Sequence, residues 1–199
     1  MFAALDDLLR FDPGERGIGA LHPPTTSDTL PVEAAARTLR DVATAGDAVL
    51  LTTGFPIPPD WRPETDGPLG TVVLARALEE LGAQPVVVAE PRVEAPIDAA
   101  AEVCGLTDLP FKAIPPDVTT TATRETPLDR YDPGAVIAIE RPGRTADNTY
   151  RSMTGTDITA HVAPMDSLFA IARDREIPTI AVGDGGNEIG FGSHIEMLD

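Results

Sequence analysis

Four short runs of apolar residues punctuate the chain, and none of them alternates with polar positions. They cover residues 47–54, 84–90, 135–140 and 178–183, and each ends in a polar or glycine-rich segment. Continuous apolar runs of this length are typical of strands that are covered on both faces, as in parallel sheets. The pattern therefore predicts four strands of one parallel sheet.

Three other segments carry apolar residues at helical spacing. They span residues 32–45, 69–81 and 163–176. Pro31 suits the first turn of the first helix, and Gly82 suits the position just after the second. Helices that link parallel strands pack on the faces of the sheet through right-handed crossovers. The order of the elements predicts an α/β fold for residues 1–199 as a single domain: an open, doubly wound, mostly parallel sheet with helices on both faces.

Acidic residues dominate the charge of the chain. There are 32 Asp and Glu residues against 15 Lys and Arg residues, which gives a net charge of −17, and Lys112 is the one lysine. Such a charge argues against nucleic acids and anionic membranes as partners, because both would be repelled. A strongly acidic surface also suits a salt-rich cytoplasm, where repulsion is screened. We interpret the bias as halophilic, typical of an archaeon; the alternative is a GC-rich organism that uses Arg in place of Lys.

The sequence carries no sign of export or membrane insertion. No apolar run approaches the roughly 20 residues that span a bilayer, and Asp6 and Asp7 lie where a signal peptide would carry basic residues. The single cysteine, Cys104, cannot form a disulfide within the chain, and its apolar, helical surroundings predict a buried, inert thiol. We expect a cytoplasmic protein.

The loop after the first predicted strand carries one group of acids. Glu64, Thr65 and Asp66 precede a helix that we expect to begin at Pro68 or Leu69. An N-cap role explains either Thr65 or Asp66, but it leaves Glu64 unexplained. Glu64 and Asp66 are therefore candidates for proton transfer to or from a ligand.

A second group follows the third predicted strand, where Glu140 precedes Arg141. A carboxylate at the tip of an apolar strand is partly desolvated, which raises its pKa towards that of a general base. Arg141 could bind a substrate carboxylate with two hydrogen bonds. A salt bridge between the two residues that only closes the loop is an equal alternative.

The segment after the fourth predicted strand is the most specific one. Glycines surround Asp184, which requires a sharp turn and a close approach to another group. Gly185, Gly186 and Asn187 are candidate donors to a substrate, and Asn187 and Glu188 are expected at a helix start. Asp184 and Glu188 offer oxygen ligands for a divalent cation, Mg²⁺ or Mn²⁺. A tight turn with an aspartate cap would explain only part of this pattern.

Five segments together resemble the C-terminal domain of the D-glutamate cyclase family. They are residues 53–56, 63–70, 138–143, 153–158 and 182–190. The resemblance implies a Rossmann-like α/β fold and the dehydration of D-glutamate to 5-oxo-D-proline, a hydro-lyase reaction; the animal members are mitochondrial. It also implies further strand and helix after Asp199, so either this is a short member or another subunit completes the sheet in a homo-oligomer.

If the resemblance holds for the reaction, the polar groups divide into four roles. Glu140 or Asp184 would be the base, and Glu64 or Asp66 the acid. Arg141 would bind the α-carboxylate of the substrate. The N–H groups of Gly185 and Gly186, with Asn187, would stabilise the oxyanion.

Two other functions remain open. One is a non-catalytic module that binds a small acidic metabolite or a metal ion. The other is Mg²⁺-dependent phosphate chemistry, since residues 183–188 resemble a segment of haloacid-dehalogenase-like phosphatases. The first predicted strand lacks the nucleophilic aspartate loop of those enzymes, which places this function last.

Overall fold

The structure, a computed structural model, describes residues 1–9, 11, 30–117 and 127–191. The helices are α1 (Phe2–Leu9), α2 (Pro31–Ala45), α3 (Asp66–Glu80), α4 (Pro91–Cys104), α5 (Pro127–Tyr131) and α6 (Asp166–Asp174), with a 3₁₀ turn at Thr159–His161. The strands are β1 (Ala48–Thr53), β2 (Pro56–Ile57), β3 (Arg62–Pro63), β4 (Gln84–Ala89), β5 (Phe111–Ala113), β6 (Ala135–Ile139) and β7 (Thr179–Val182).

Five strands form one parallel sheet in the order β5-β4-β1-β6-β7. Each of the four predicted apolar runs is one of these strands, so the α/β prediction is confirmed. The fifth strand, β5, was not predicted because its three residues are only partly buried or exposed. Strands β2 and β3 form a separate antiparallel pair within the loop after β1.

Helices cover both faces of the sheet, as the sequence predicts. On one face, Leu51 and Ile137 pack in a core with Leu78 of α3. On the other face, Leu50 and Val136 belong to a core with Leu168 and other residues of α6. Because successive strand residues point to opposite faces, burial on both sides requires an apolar residue at every position. This is why the strands read as unbroken apolar runs.

The predicted boundaries are correct for α2 and shifted for α3 and α6. Helix α2 begins at Pro31 and ends before Gly46, which adopts a left-handed conformation with φ 79°. Helix α3 begins at Asp66 rather than at Pro68 or Leu69, so Gly67 and Pro68 lie in its first turn, where proline is tolerated. Helix α6 covers Asp166–Asp174, which is shorter at both ends than predicted.

The sheet order places a switch point between β1 and β6. From β1 the chain proceeds through β4 and β5 on one side, and it later returns to pair β6 on the other side of β1. Loops diverge at the carboxyl ends of two such strands, and ligands of doubly wound proteins bind there. The loop after β1 and the residues Glu140 and Arg141 after β6 lie at this edge.

Among the described residues, none of the helices combines the length and the apolar character that crossing a bilayer requires.

Candidate functional site

A cavity of about 330 Å³ opens at the carboxyl edge of the sheet. Three segments form its wall: the loop after β1, the loop before the 3₁₀ turn and the glycine-rich loop after β7. The lining residues are Phe55, Ile57, Pro58, Glu64, Ser152, Met153, Thr154, Thr156, Asp184, Asn187 and Glu188. A volume of this size is in the range of small-molecule sites.

Three carboxylates converge beside this cavity. Glu140, Asp184 and Glu188 each offer one carboxylate oxygen, and these oxygens lie within 4.8 Å of one another. Glu140 follows β6 directly, while the other two belong to the loop after β7. Because β6 and β7 are parallel neighbours, their carboxyl ends bring the residues together. The sequence predicted these acids separately, and the structure brings them into one cluster.

Glu140 is held in an unusual conformation and environment. Its backbone has φ 45°, in the left-handed region, and its N–H donates a hydrogen bond of 3.0 Å to the carbonyl oxygen of Val182. Burial of the carboxyl group, followed by repulsion from Glu188 and Asp184 and then by smaller contributions from Asp66 and Glu64, raises the pKa of Glu140 to about 8. Desolvation and like charges both favour the neutral form of an acid.

Glu188 is enclosed by the glycine-rich loop. It is only 5% exposed, and its Oε1 accepts a 2.9 Å hydrogen bond from the Gly185 N–H. A Cβ atom on Gly183 or on Gly185 would lie within 2.9 Å of the Glu188 side chain. The glycines are therefore required for the close wrapping of the chain around this carboxylate, which the sequence could indicate only as a close approach to some group.

The loop before α3 brings the other predicted acids to the edge. Glu64 lines the cavity, and its backbone N–H is bonded to the Phe55 carbonyl. Thr65 occupies the N-cap position without a side-chain cap bond, and Asp66 Oδ1 accepts a hydrogen bond from the Gly67 N–H. Asp66 is not among the cavity-lining residues. The structure therefore brings Glu64, and not Asp66, to the cavity wall.

Arg141 lies in the interior rather than at the cavity. It is fully buried, and its guanidinium donates two hydrogen bonds, of 2.5 and 2.7 Å, to the carboxylate of Glu90. It also donates to the carbonyl oxygens of Thr53 and Ala163. The structure thus gives Arg141 partners other than the substrate carboxylate that the sequence suggested, because a buried guanidinium requires a partner for its charge.

Glu90 is the residue that the sequence analysis missed. It follows β4 and is 1% exposed, and its Oε1 also accepts a hydrogen bond from the Ala163 N–H. The Glu90–Arg141 pair therefore connects the ends of β4 and β6 across the end of β1. The sequence did contain a signal for Glu90, since this residue stands at the end of an apolar run just as Glu140 does.

Two of the three predicted oxyanion donors, Gly185 and Asn187, are engaged within the protein. The Gly185 N–H donates a hydrogen bond to the Glu188 carboxylate. Asn187 Nδ2 donates a hydrogen bond of 2.9 Å to the Arg151 carbonyl oxygen. Asn187 and Glu188 do not begin a helix, because Glu188 forms a bridge with Pro142 and the Gly143 N–H bonds to the Asn187 carbonyl. Gly186 adopts φ 87° in this turn.

The charged side chains among the described residues that line the cavity are all acidic. Glu64, Asp184 and Glu188 line it, and no lysine or arginine is found among the described lining residues. A ligand that carries a carboxylate would meet repulsion here unless a cation were bound beside it. A ligand ammonium group would be attracted.

The chain was compared with known proteins. A family model described as "D-glutamate cyclase-like, C-terminal" matches residues 5–199. The human protein named "D-glutamate cyclase, mitochondrial" is 32% identical over 212 aligned residues, which cover 98% of this chain and 32% of the human protein. The chain therefore spans about a third of the length of the curated relative it matches.

Proposed function

The chain belongs to the D-glutamate cyclase-like, C-terminal family, and we propose that it binds D-glutamate in the acidic cavity and dehydrates it to 5-oxo-D-proline. One observation carries the proposal: a cavity of about 330 Å³ at the carboxyl edge of the sheet is lined by acids from the loop after β1 and from the segment after β7. The name of the human relative supplies the substrate.

The reaction transfers protons but consumes none. The α-nitrogen of glutamate forms a bond with the carbon of its side-chain carboxyl group, and one carbon–oxygen bond of that group breaks. The ammonium group loses two protons, and the departing oxygen takes up two protons as it leaves as water. One positioned carboxylate can serve both needs if it accepts a proton from the ammonium group and then gives it to the oxygen.

We assign this shuttle role to Glu64. It is exposed at the wall of the cavity and stands outside the Glu140–Asp184–Glu188 cluster. Glu64 was one of the two residues expected to act as the acid, and the assignment extends its role to the first proton transfer. Holding the amine and the carboxyl group of one molecule in contact is the other contribution of the cavity, since orientation removes much of the entropic barrier.

The test is product formation from each enantiomer of glutamate. Purified protein is incubated with D-glutamate or L-glutamate in the presence of MgCl₂, since a cation would offset the repulsion between the acidic cavity and the substrate carboxylates, and 5-oxoproline is quantified by chiral chromatography with mass detection. We expect product from D-glutamate and a loss of at least about 100-fold in rate for Glu64→Gln, in keeping with general acid–base catalysis. Glu102→Gln, on the exposed side of α4, is the matched control and should retain the rate. Turnover that is equal in both variants would refute the role of Glu64.

A non-catalytic binding module is the second candidate function. The observation that favours it is the coverage of the human relative, because two thirds of that protein has no counterpart in the alignment and could carry the chemistry. Calorimetry with both glutamate enantiomers separates the two functions: binding without any 5-oxoproline supports the module and excludes the cyclase for this chain.

A further inference from the structure

We infer that Glu140, Asp184 and Glu188 form a binding site for one divalent cation that prefers oxygen ligands, such as Mg²⁺ or Mn²⁺. This inference rests on the arrangement of the three side chains and stands whether or not the chain is a cyclase.

The separation of the three carboxylates fits a single ion. Their oxygens lie within 4.8 Å of one another. Oxygen ligands stand about 2.0–2.1 Å from Mg²⁺ and about 2.3–2.6 Å from Ca²⁺, so two oxygens on opposite sides of one ion are about 4–5 Å apart. One ion can therefore contact all three residues without a large movement of the backbone.

The Glu188 carboxylate supplies a second, independent observation. Only 5% of the Glu188 surface is exposed, and its Oε1 accepts a hydrogen bond from the Gly185 N–H. Its Oε2 is buried and has no hydrogen-bond partner among the described residues. A buried, unpaired carboxylate oxygen is costly unless a cation compensates it.

The described residues around Glu140 and Glu188 offer these two side chains no protein cation. Within the described part of the chain, neither of them forms an ion pair with a basic side chain. Arg141, the buried arginine that follows Glu140 in the chain, is paired with Glu90 and lies outside the cavity lining. A cation bound between the carboxylates would offset the repulsion within the cluster.

The glycine-rich loop is built around this carboxylate. Side chains at Gly183 and Gly185 would collide with Glu188, and Gly143 approaches the Glu188 backbone so closely that a Cβ atom would lie 2.7 Å from its carbonyl oxygen. Three glycines thus keep Glu188 in one position, as a ligand that must not move requires.

The donor set selects the class of metal. Three carboxylates without sulfur or imidazole favour hard cations, Mg²⁺, Mn²⁺ or Ca²⁺, over Zn²⁺ or Cu²⁺. Since these three residues leave further coordination positions open, water or a ligand in the cavity could complete the coordination of the ion. Two of the three residues, Asp184 and Glu188, line that cavity.

Manganese binding measured without any organic ligand tests the inference. The protein is stripped with a chelator, desalted and titrated with MnCl₂, and free Mn²⁺ is followed by electron paramagnetic resonance. Background KCl at about 0.5 M screens the diffuse attraction of an acidic protein for cations. We expect one site per chain and a loss of at least about 10-fold in affinity for Asp184→Asn and for Glu188→Gln.

Two controls keep the result decisive. Glu102→Gln removes an acid outside the cluster and should leave the affinity unchanged. Asp184 is exposed, so Asp184→Asn is expected to fold even if Glu188→Gln does not. No binding up to millimolar Mn²⁺, or equal affinity in wild type and Asp184→Asn, would overturn the site. Binding of Mn²⁺ without 5-oxoproline production would refute the cyclase proposal and leave the metal site standing.

Discussion

At the scale of single residues, folding strongly alters the ionisation of Glu140. Its carboxyl group has an ordinary pKa of 4.5, and in the folded chain the pKa is about 8 because burial and neighbouring acids oppose the charged form. Folding therefore favours the protonated carboxyl group. This has a direct consequence for the stability of the metal-free protein.

The sign of the effect follows from the two pKa values. Below about pH 4.5 the carboxyl group is neutral in both the folded and the unfolded chain, and its contribution to the free energy of unfolding is fully present. Between pH 4.5 and 8 the unfolded chain releases the proton and the folded chain keeps it, so the free energy of unfolding falls as the pH rises. Above pH 8 the loss is complete.

We predict that Glu140→Gln is more stable than the wild type at pH 9 and that this advantage disappears towards pH 4.5. The expected gain is about 1–2 kcal/mol, after a discount for the half-buried position of the side chain. Urea denaturation with a chelator present, at a series of pH values, measures it. Glu102→Gln should show no comparable growth with pH, and a pH-independent difference for Glu140→Gln would contradict the prediction.

Arg141 illustrates what the residue type alone leaves open. An arginine after a strand end suits either a substrate carboxylate or a protein carboxylate, and the sequence analysis kept both alternatives for the Glu140–Arg141 pair. The structure gives Arg141 a different partner, Glu90, which is 51 residues earlier in the chain. A partner at that distance has no local signal in the sequence.

At the scale of elements, the first turn of α3 is pressed against the sheet edge. A Cβ atom on Gly67 would lie 2.6 Å from Thr53 Oγ1 and 3.0 Å from the Cβ of Glu140. On Gly70, one turn later and exposed, it would lie at an ordinary 3.7 Å from Ile139. The close contact with the sheet therefore requires a glycine at position 67 but not at position 70.

We predict opposite effects for alanine at these two positions. Gly70→Ala should stabilise the protein by about 0.5–1 kcal/mol, because alanine has the higher helix propensity. Gly67→Ala should destabilise it by about 1–3 kcal/mol, because the added methyl group overpacks the contact with β1 and β6. Urea unfolding of the two variants beside the wild type measures both values. Stabilisation by Gly67→Ala would show that α3 moves away from the sheet without cost.

Elements with a clear local pattern of apolar residues were predictable. Short elements, and conformations that depend on contacts with distant segments, were not. The four apolar runs are strands because burial on both faces leaves no polar position to interrupt them. Strand β5 was missed because three residues carry too little pattern. Among the described residues, Asn187 and Glu188 do not begin the expected helix, because their backbone pairs with residues 142 and 143 instead.

At the scale of the whole molecule, a net charge of −17 destabilises the compact state through self-repulsion. We predict that raising KCl from about 0.05 to 0.5 M at pH 7.5 increases the stability by about 1–2 kcal/mol, or about 3–6 °C in Tm. Scanning calorimetry measures the shift.

The matched control repeats the salt increase at a pH where the acidic protein carries less net charge. Near pH 5, close to the pI of 4.4, the net charge is much smaller, and the same increase in KCl should have a much weaker effect. A salt response of equal size at both pH values would mean that charge repulsion is not its cause. The halophilic origin and the cytoplasmic location stay predictions.

The sequence by itself determined the α/β class, the parallel strands and the acids at their tips, because apolar runs and strand-end residues are local patterns. Only the tertiary structure decided which acids share a site. It brought Glu140, Asp184 and Glu188 together, placed Glu64 in the cavity wall and left Asp66 out of it, and enclosed Arg141 with Glu90. The physical reason is that side chains far apart in the chain meet through strand order and register, which depend on the packing of the whole sheet.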